Sequence, residues 1–186
     1  LNKPVIYDNG DLKITAFKGG WIGPFQRECV LRQPAVVVLP YDPLRDQIVL
    51  IEQFRAGCVE TKPVPWMLEC VAGLIEHGLT PEQTAHKELQ EEAGLKAESL
   101  HLLHHYWASP GASNEAVYLY LAQIDASCVK THGVFGVPEE HEDIQIHLVP
   151  SKEAFRMVEA GQIDNAATLL ALQSLALKLL KNKKIF

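Results

Sequence analysis

The segment from residue 73 to residue 95 constrains the fold more than any other part of this chain, because its ends carry local signals for a loop and a helix. Thr80 can cap a helix, and Gln83, three residues later, completes a capping box. Gly94 suits the left-handed conformation that ends many helices. An apolar, strand-like run over residues 66–72 precedes the loop. The segment therefore predicts a strand, a loop and a short helix in that order.

Three glutamates of this predicted helix, Glu88, Glu91 and Glu92, stand at positions i, i+3 and i+4, so we expect their carboxylates to share one exposed face. Like charges at this spacing destabilise a bare helix by roughly 0.2–0.5 kcal/mol per pair, which suggests a bound cation. Oxygen ligands suit Mg²⁺ or Mn²⁺, ions that keep part of their water shell and bridge to phosphates. Glutamate-rich helical turns more often simply face solvent, so the preceding strand and loop carry the interpretation.

The same segment resembles the signature box of the Nudix hydrolases, which cleave a nucleoside diphosphate linked to another moiety. The family pattern is Gly, then Glu six residues on, then Arg-Glu-apolar-x-Glu-Glu-x-Gly-apolar. The chain matches this pattern at Gly73, Glu88, Leu89, Glu91, Glu92, Gly94 and Leu95.

Two positions depart from the family pattern: its first Glu is Leu79 here, and its Arg is Lys87. In the family these two side chains help to hold the loop against the helix and to orient the metal-binding carboxylates. Without a carboxylate at position 79, a guanidinium at position 87 would lack its partner. Lys87 keeps a point charge near Glu91 but cannot clamp two oxygens in one plane. The departures leave open a catalytically weak domain that only binds its ligand.

Composition predicts a soluble protein with a single catalytic domain. The 17 basic and 23 acidic side chains give a net charge of −6, which argues against nucleic-acid binding. No apolar run approaches the ~18 residues of a membrane span, and we expect neither a membrane partner nor a signal peptide. The four cysteines lack metal-site spacing and are expected to be free thiols in a reducing cytoplasm. Because the chain begins at Leu1, we expect that some N-terminal residues are missing from it.

Alternation of strand-like and helical patterns predicts the α/β class, with helices packed over a mixed sheet. This matches the α/β/α sandwich of the Nudix fold, with a small N-terminal β extension added. We expect residues 1–33 to form that extension, which does not fold independently, and residues 34–186 to form the hydrolase domain. Strands are predicted at 11–17, 25–33, 35–41, 47–55, 66–72, 99–107, 116–125 and 143–150, and two later helices at 151–160 and 165–183.

Segments outside the signature box resemble the bacterial ADP-ribose pyrophosphatases, over about residues 25 to 180. They are residues 51–55, 66–73, 109–115, 142–144 and 163–166. The resemblance implies metal-dependent hydrolysis of ADP-ribose to AMP and ribose 5-phosphate, with Mg²⁺ or Mn²⁺ as cofactor. A nucleoside diphosphate sugar pyrophosphatase of the UDP-glucose or GDP-mannose type is the alternative enzyme.

The resemblance also implies which residues form the site. The backbone carbonyl of Ala72 with Glu88 and Glu92 would bind the metals, and Glu142 would add a contact. Glu140 matches the position of the general base, with Glu139 as the alternative because the loop differs in length, and Glu91 would lie close to the metals. The substrate would be bound by Arg27, Arg55 and Glu115, the arginines clamping phosphates or the base and the glutamate bonding the terminal ribose.

Residues 11 to 33 are rich in apolar side chains but too few to form a stable sheet alone. In the resembled branch such an extension builds a homodimer, in which Arg27 would serve the partner's site.

His101, His104 and His105 lie on a strand-like run without a cysteine pattern, so we favour solvated histidines over a zinc site.

Overall fold

The computed structural model describes residues 14–16, 22–25, 29–130, 135–136 and 143–181. This part of the chain forms nine strands and three helices. The strands are β1 (Ile14–Ala16), β2 (Ile22–Phe25), β3 (Ala35–Asp42), β4 (Gln47–Phe54), β5 (Trp66–Glu69), β6 (Val71–Leu74), β7 (Ser99–Trp107), β8 (Ala116–Gln123) and β9 (Ile144–Pro150), and the helices are α1 (Pro81–Ala93), α2 (Ser151–Glu159) and α3 (Ala166–Leu180).

A hairpin of β3 and β4 forms the centre of a seven-stranded mixed sheet. The two strands pair with each other only near their turn, at Tyr41–Ile48 and Asp42–Gln47, and then separate. Beyond that point β6 pairs with β3 and β5 pairs with β4. On their other sides β8 runs parallel to β3, and β9 runs antiparallel to β4. Strand β7 completes one edge by pairing with β8.

Helices cover both faces of this sheet, because the central strands are apolar on both sides. On one face α1 packs through Ala85 and Leu89 against Val36 and Ile51. On the opposite face α2 and α3 pack against a second buried cluster that includes Leu39, Ile48, Leu50, Leu119, Ala154, Leu172 and Leu175. This arrangement confirms the predicted α/β/α sandwich with a mixed sheet. None of the helices in the described part of the chain is long and apolar enough to cross a membrane.

Two predicted strands have different boundaries in the structure. The run over residues 66–72 forms two strands that separate at Cys70, because β5 pairs with β4 whereas β6 pairs with β3. The strand predicted at 25–33 is wrong over residues 29–33, and residues 26–28 of that prediction lie outside the described residues. Strand β2 lies earlier and pairs with β1, and residues 29–34 make only one isolated bridge, from Val30 to Ser113. Cys29, expected in that strand, lies outside any strand.

The stretch after residue 29 follows the loop at 109–114 instead of a strand ladder. The Val30 amide donates to the Ala112 carbonyl at 2.8 Å, and the Arg32 amide donates to the Asn114 side chain at 2.7 Å. Strands β1 and β2 form a separate two-stranded sheet. The division into an extension over 1–33 and a catalytic domain over 34–186 stays a prediction.

Candidate active site

Helix α1 begins and ends at the residues that carry the local signals. The Thr80 side chain accepts a hydrogen bond from the Gln83 amide, and the Gln83 side chain accepts one from the Thr80 amide. Gly94 ends the helix in the left-handed conformation, with φ of 63°. Ala85 and Leu89 are fully buried against the sheet. Burial of this face fixes the rotation of the helix and so the direction of its glutamates.

Glu88 lies directly against Gly73 at the end of β6. A Cβ atom at position 73 would lie 2.6 Å from Cγ of Glu88 and would also collide with the carboxyl group. The glycine is therefore required for this close approach of helix and strand. The Glu88 side chain remains partly exposed, at 13%.

Glu92 is buried, with 2% of its surface exposed, so the expectation that its carboxylate is exposed is wrong. One oxygen accepts a hydrogen bond of 2.9 Å from the Ala72 amide. The reason is the packing of α1 on β6, which places the last turn of the helix beneath the strand. A buried carboxylate needs such partners because desolvation penalises its charge. This contact brings two predicted metal-binding residues, Ala72 and Glu92, together.

Lys87 connects the loop before α1 to the glutamates of the helix. Its Nζ atom lies 2.7 Å from Glu91, 2.9 Å from Glu76 and 3.8 Å from Glu88. Hydrogen bonds to Glu91 and then to Glu76 hold the pKa of Lys87 above its ordinary value, so the ammonium stays charged. The predicted contact with Glu91 is confirmed. Position 79 supplies no carboxylate, but Lys87 has another loop partner, because Glu76 lies three residues before Leu79.

These groups border a cavity of about 670 Å³ at one end of the sheet. Strands, α1 and the start of α3 all contribute to its walls. Burial raises the pKa of Tyr106 in the wall, so this phenol stays protonated at neutral pH. The lining includes Arg32, Arg55, Ala72, Gly73, Glu76, Lys87, Glu88, Glu91, Tyr106, Glu115 and Asn165.

Two arginines on the cavity wall form ion pairs with glutamates. Arg55 lies 2.7 Å from Glu69, and the pair links β4 to β5. Arg32 lies 2.7 Å from Glu115, which places a cation beside the residue predicted to bond the terminal ribose. The sequence reasoning named Arg55 and Glu115 but missed both partners. Neither Arg32 nor Glu69 carries a local signal, since each belongs to an ordinary extended stretch.

Four predicted site residues lie outside the described residues: Arg27, Glu139, Glu140 and Glu142. The three histidines lie on β7 and are exposed. His104 forms a hydrogen bond of 2.9 Å with Ser174, and His105 stacks on Tyr118 with ring centroids 4.3 Å apart.

Within the described ranges no group of three His, Cys, Asp or Glu side chains already converges on a point that could hold a metal ion. The glutamates of α1 are instead oriented separately: Glu91 by Lys87 and Glu92 by the Ala72 amide. The donors around Ala72 are nevertheless all oxygens, from carboxylates and a backbone carbonyl. That donor set fits a hard divalent cation such as Mg²⁺ or Mn²⁺ and disfavours softer metals.

Comparison with known proteins gives a consistent result. The model of the NUDIX domain family matches residues 31–172. The chain is 41% identical over 169 residues to the ADP-ribose pyrophosphatase of Escherichia coli (strain K12), covering 90% of this chain and 80% of that protein. It is 37% identical over 164 residues to the ADP-ribose pyrophosphatase of Haemophilus influenzae, covering 87% of this chain and 75% of that protein.

Two further similarities extend the comparison. The chain is 33% identical over 162 residues to the GDP-mannose pyrophosphatase of Cronobacter sakazakii, covering 87% of this chain and 83% of that protein. A solved structure described as an ADP compounds hydrolase superposes with a TM-score of 0.72, covering 98% of this chain and 91% of the other. At 20% sequence identity, this structural likeness bears on the fold alone.

Proposed function

The chain belongs to the NUDIX family, and from that premise we propose that it hydrolyses the pyrophosphate bond of ADP-ribose to AMP and ribose 5-phosphate. The observation that supports this reaction is a single cavity that is lined both by Glu88 and Glu91 of α1 and by Arg55. A pyrophosphate needs both a metal-binding acidic group and cationic groups that bind its oxygens. The similarity to proteins named ADP-ribose pyrophosphatase supports the substrate.

Ala72, through its carbonyl, and the carboxylates of Glu88 and Glu92 would hold Mg²⁺ or Mn²⁺, with Glu142 adding a contact. When bound, the cation would neutralise phosphate charge and lower the pKa of a bound water. Lys87 keeps Glu91 beside these ligands and offsets part of the like-charge repulsion on α1.

The remaining residues would bind the substrate and take its proton. Arg55 and Arg27 would clamp phosphates or the base, and Glu115, paired with Arg32, would accept a hydrogen bond from the terminal ribose. The carboxylate of Glu140, or of Glu139, would remove a proton from the attacking water. The assignments of Arg27, Glu139, Glu140 and Glu142 rest on the sequence resemblance.

Hydrolysis of a nucleoside diphosphate sugar is the second candidate, and the similarity to a GDP-mannose pyrophosphatase supports it. A catalytically weak, ligand-binding domain is supported by Leu79 and Lys87. The Glu76–Lys87 contact weakens that argument, because it supplies a link between loop and helix that the departures would otherwise remove.

A panel assay separates these candidates. Purified protein is incubated with ADP-ribose, GDP-mannose or UDP-glucose, with Mg²⁺, with Mn²⁺ or with chelator, and the products are separated by chromatography. We expect ADP-ribose to give a kcat/KM at least about tenfold above the others, with AMP and ribose 5-phosphate as products and no turnover in chelator. Preference for a nucleoside diphosphate hexose would replace the substrate assignment, and absence of turnover on all three would favour the ligand-binding domain.

For the setting of this activity we propose a cytoplasmic homodimer without nucleic-acid or membrane partners. The acidic charge balance argues against binding to nucleic acid. Cys29, Cys58, Cys70 and Cys128 are all free, as suits a reducing compartment.

A further inference from the structure

Glu69, at the end of β5, is a buried carboxylate that the proposed reaction does not use directly. Only 3% of its surface is exposed, and it is absent from the residues that line the cavity. A buried carboxylate is costly unless its oxygens are paired and hydrogen-bonded. Here two residues that do line the cavity provide that pairing: Arg55, directly after β4, and Asn165, directly before α3.

The contacts of Glu69 assign one oxygen to each partner. Oε2 accepts a hydrogen bond of 2.7 Å from Nε of Arg55 and lies 2.7 Å from its Nη2. Oε1 accepts a 2.7 Å hydrogen bond from Nδ2 of Asn165. The Arg55 side chain nevertheless stays 39% exposed on the cavity side of this pair. Because a guanidinium carries five N–H donors, several remain for a phosphate after Glu69 is bound.

The same network continues into the first turn of α3. The Asn165 side chain caps this helix by accepting hydrogen bonds from the amide and the hydroxyl of Thr168. The buried Thr168 hydroxyl in turn accepts from the amide of Cys70, next to Glu69 in the chain. Glu69 is therefore fixed from both sides before any substrate binds.

We propose that Glu69 is a positioning residue, which holds the Arg55 guanidinium in the orientation that binds a substrate phosphate and couples it to the start of α3. It acts through Arg55 and does not touch the substrate. This inference rests on the proposed function. A carboxylate is required at position 69 because it faces donors on both sides. A glutamine would turn its own amide N–H groups toward Arg55 or Asn165 and lose one of the two contacts.

Steady-state kinetics of Glu69→Gln, Arg55→Gln and the double variant test this arrangement. We expect Glu69→Gln to raise KM for ADP-ribose roughly tenfold and to change kcat less than about threefold, because a misoriented Arg55 binds the phosphate more weakly in the ground state and the transition state alike, while the metal site is intact. In the Arg55→Gln background, Glu69→Gln should add less than about twofold to KM. The positioning role would be overturned if the effects of the two substitutions on KM multiplied in the double variant, or if Glu69→Gln left KM unchanged.

Two further variants separate positioning of Arg55 from simple neutralisation of its charge. Glu69→Asp keeps the charge but withdraws the carboxylate by one methylene, so positioning predicts a raised KM, whereas charge neutralisation alone predicts the wild-type value. Glu52→Gln is the control, since Glu52 is a half-buried carboxylate on neighbouring β4 that pairs with His147 at 2.9 Å, away from the cavity. Its KM should equal that of the wild type. Circular dichroism melts confirm that each variant is folded.

The outcome for the wild type keeps this inference distinct from the proposed function. If the wild type hydrolyses ADP-ribose but Glu69→Gln and Glu69→Asp keep its KM, only the positioning role is wrong. If the wild type prefers another nucleoside diphosphate sugar, the substrate assignment is wrong, and the same variants decide the role of Glu69 with that sugar. If the wild type hydrolyses none of them, both proposals fail.

Discussion

Glu88, Glu91 and Glu92 carry the same charge on one helix, yet each is held by a different neighbour. Glu88 fits against the bare Cα of Gly73, Glu91 bonds Lys87, and Glu92 bonds the backbone of β6. The three carboxylates are thereby oriented before a cation arrives. Substitutions at these residues should consequently affect the reaction more than the fold.

Glu92→Gln should abolish most metal-dependent turnover without unfolding the protein. The glutamine oxygen can still accept the hydrogen bond from the Ala72 amide, so we expect a thermal midpoint within a few degrees of the wild type. Turnover should fall at least about 100-fold, since a neutral amide is a poor substitute for an anionic metal ligand. Glu82→Gln, an exposed change in the first turn of α1, is the control. Wild-type hydrolysis by Glu92→Gln at saturating Mg²⁺ would refute the metal assignment.

Gly73→Ala tests whether the close approach of strand and helix matters for the reaction. The new methyl group would collide with the end of the Glu88 side chain, which is flexible, so the carboxylate should move while the backbone stays. We expect roughly a tenfold or greater loss of kcat/KM and a small change in stability. Gly57→Ala is the matched control, because a Cβ at position 57 meets nothing within 4 Å. Equal activity of the two variants would contradict the argument.

At the scale of single elements, α1 is fixed at two points along its length. Its last turn is tied to β6 through Glu92, and its middle is tied to the preceding loop through Lys87 and Glu76. The second link compensates for Leu79, which is half-buried and carries no charge. Leu79 and Lys87 thus replace the Glu and Arg of the family pattern, but an ion pair still joins the loop to the helix.

Glu76→Gln should loosen this link. We expect the apparent affinity for Mg²⁺, measured from the metal dependence of turnover, to fall about twofold to fivefold, because partly exposed ion pairs contribute only about 0.2–1 kcal/mol. In a Lys87→Met background the same substitution should have no further effect. His77→Gln, an exposed neighbour in the loop, serves as the control. An equal loss in both backgrounds would show that Glu76 acts independently of Lys87.

The turn between β3 and β4 is stabilised by Asp42, and this predicts a loss of stability in acid. Burial alone would raise the pKa of Asp42, but hydrogen bonds from the Ala126 amide, the Arg45 side chain and the turn amides lower it to about 2. A folded-state pKa below the unfolded value of 3.8 stabilises the protein above that pH, and the contribution disappears as pH falls toward about 2.

Denaturant titrations of Asp42→Asn and the wild type over pH 2 to 7 measure this contribution. At neutral pH the variant should be less stable by about 2 kcal/mol. Between about pH 4 and pH 2 the difference should shrink, because the wild type alone loses the ionised Asp42. Glu98→Gln, at an exposed carboxylate outside the turn, should follow the wild type. A constant difference across this range would show that the charge of Asp42 is not the cause.

At the scale of the whole molecule, the separation of β3 from β4 makes room for the proposed site. The gap admits β5 and β6, whose ends bring Glu69 and Ala72 to the cavity region, while α1 and α3 approach from opposite faces. Strands β1 and β2 form a sheet of their own outside this framework. Two short strands are only marginally stable in isolation, which favours a partner surface.

We expect a homodimer built by residues 11 to 33, with Arg27 serving the partner's site. Light scattering at micromolar concentration should give about twice the 20.7 kDa of one chain. Equal amounts of the inactive Arg27→Gln and Glu92→Gln variants, mixed under subunit exchange, should recover roughly a quarter of wild-type activity, since half the dimers contain one complete site. A fully active monomer would sink the proposal, and a dimer without recovered activity would remove Arg27 from the partner's site.

The sequence by itself determined helix α1, because its signals are local. The Thr80–Gln83 capping box, Gly94 and the buried spacing of Ala85 and Leu89 depend on residues at most four positions apart along the helix or at its ends. The apolar runs at 35–41 and 47–55 likewise predicted the strands that the structure shows as β3 and β4. The two glutamates that face the cavity, Glu88 and Glu91, followed from the same periodicity, since helix geometry places positions i and i+3 on one face.

Only the tertiary structure decided which residues hold Arg55 across the cavity from those glutamates. Glu69 bonds Asn165, 96 positions away, and the Thr168 hydroxyl reaches the Cys70 amide across 98 positions. Such contacts depend on strand register and on the placement of α3, and a shift of one residue in a strand would turn every side chain to the opposite face. The break at Cys70 has the same origin, because β5 pairs with β4 whereas β6 pairs with β3. Local propensity does not determine which strand each of these segments pairs with. The separation of β3 from β4 determines it.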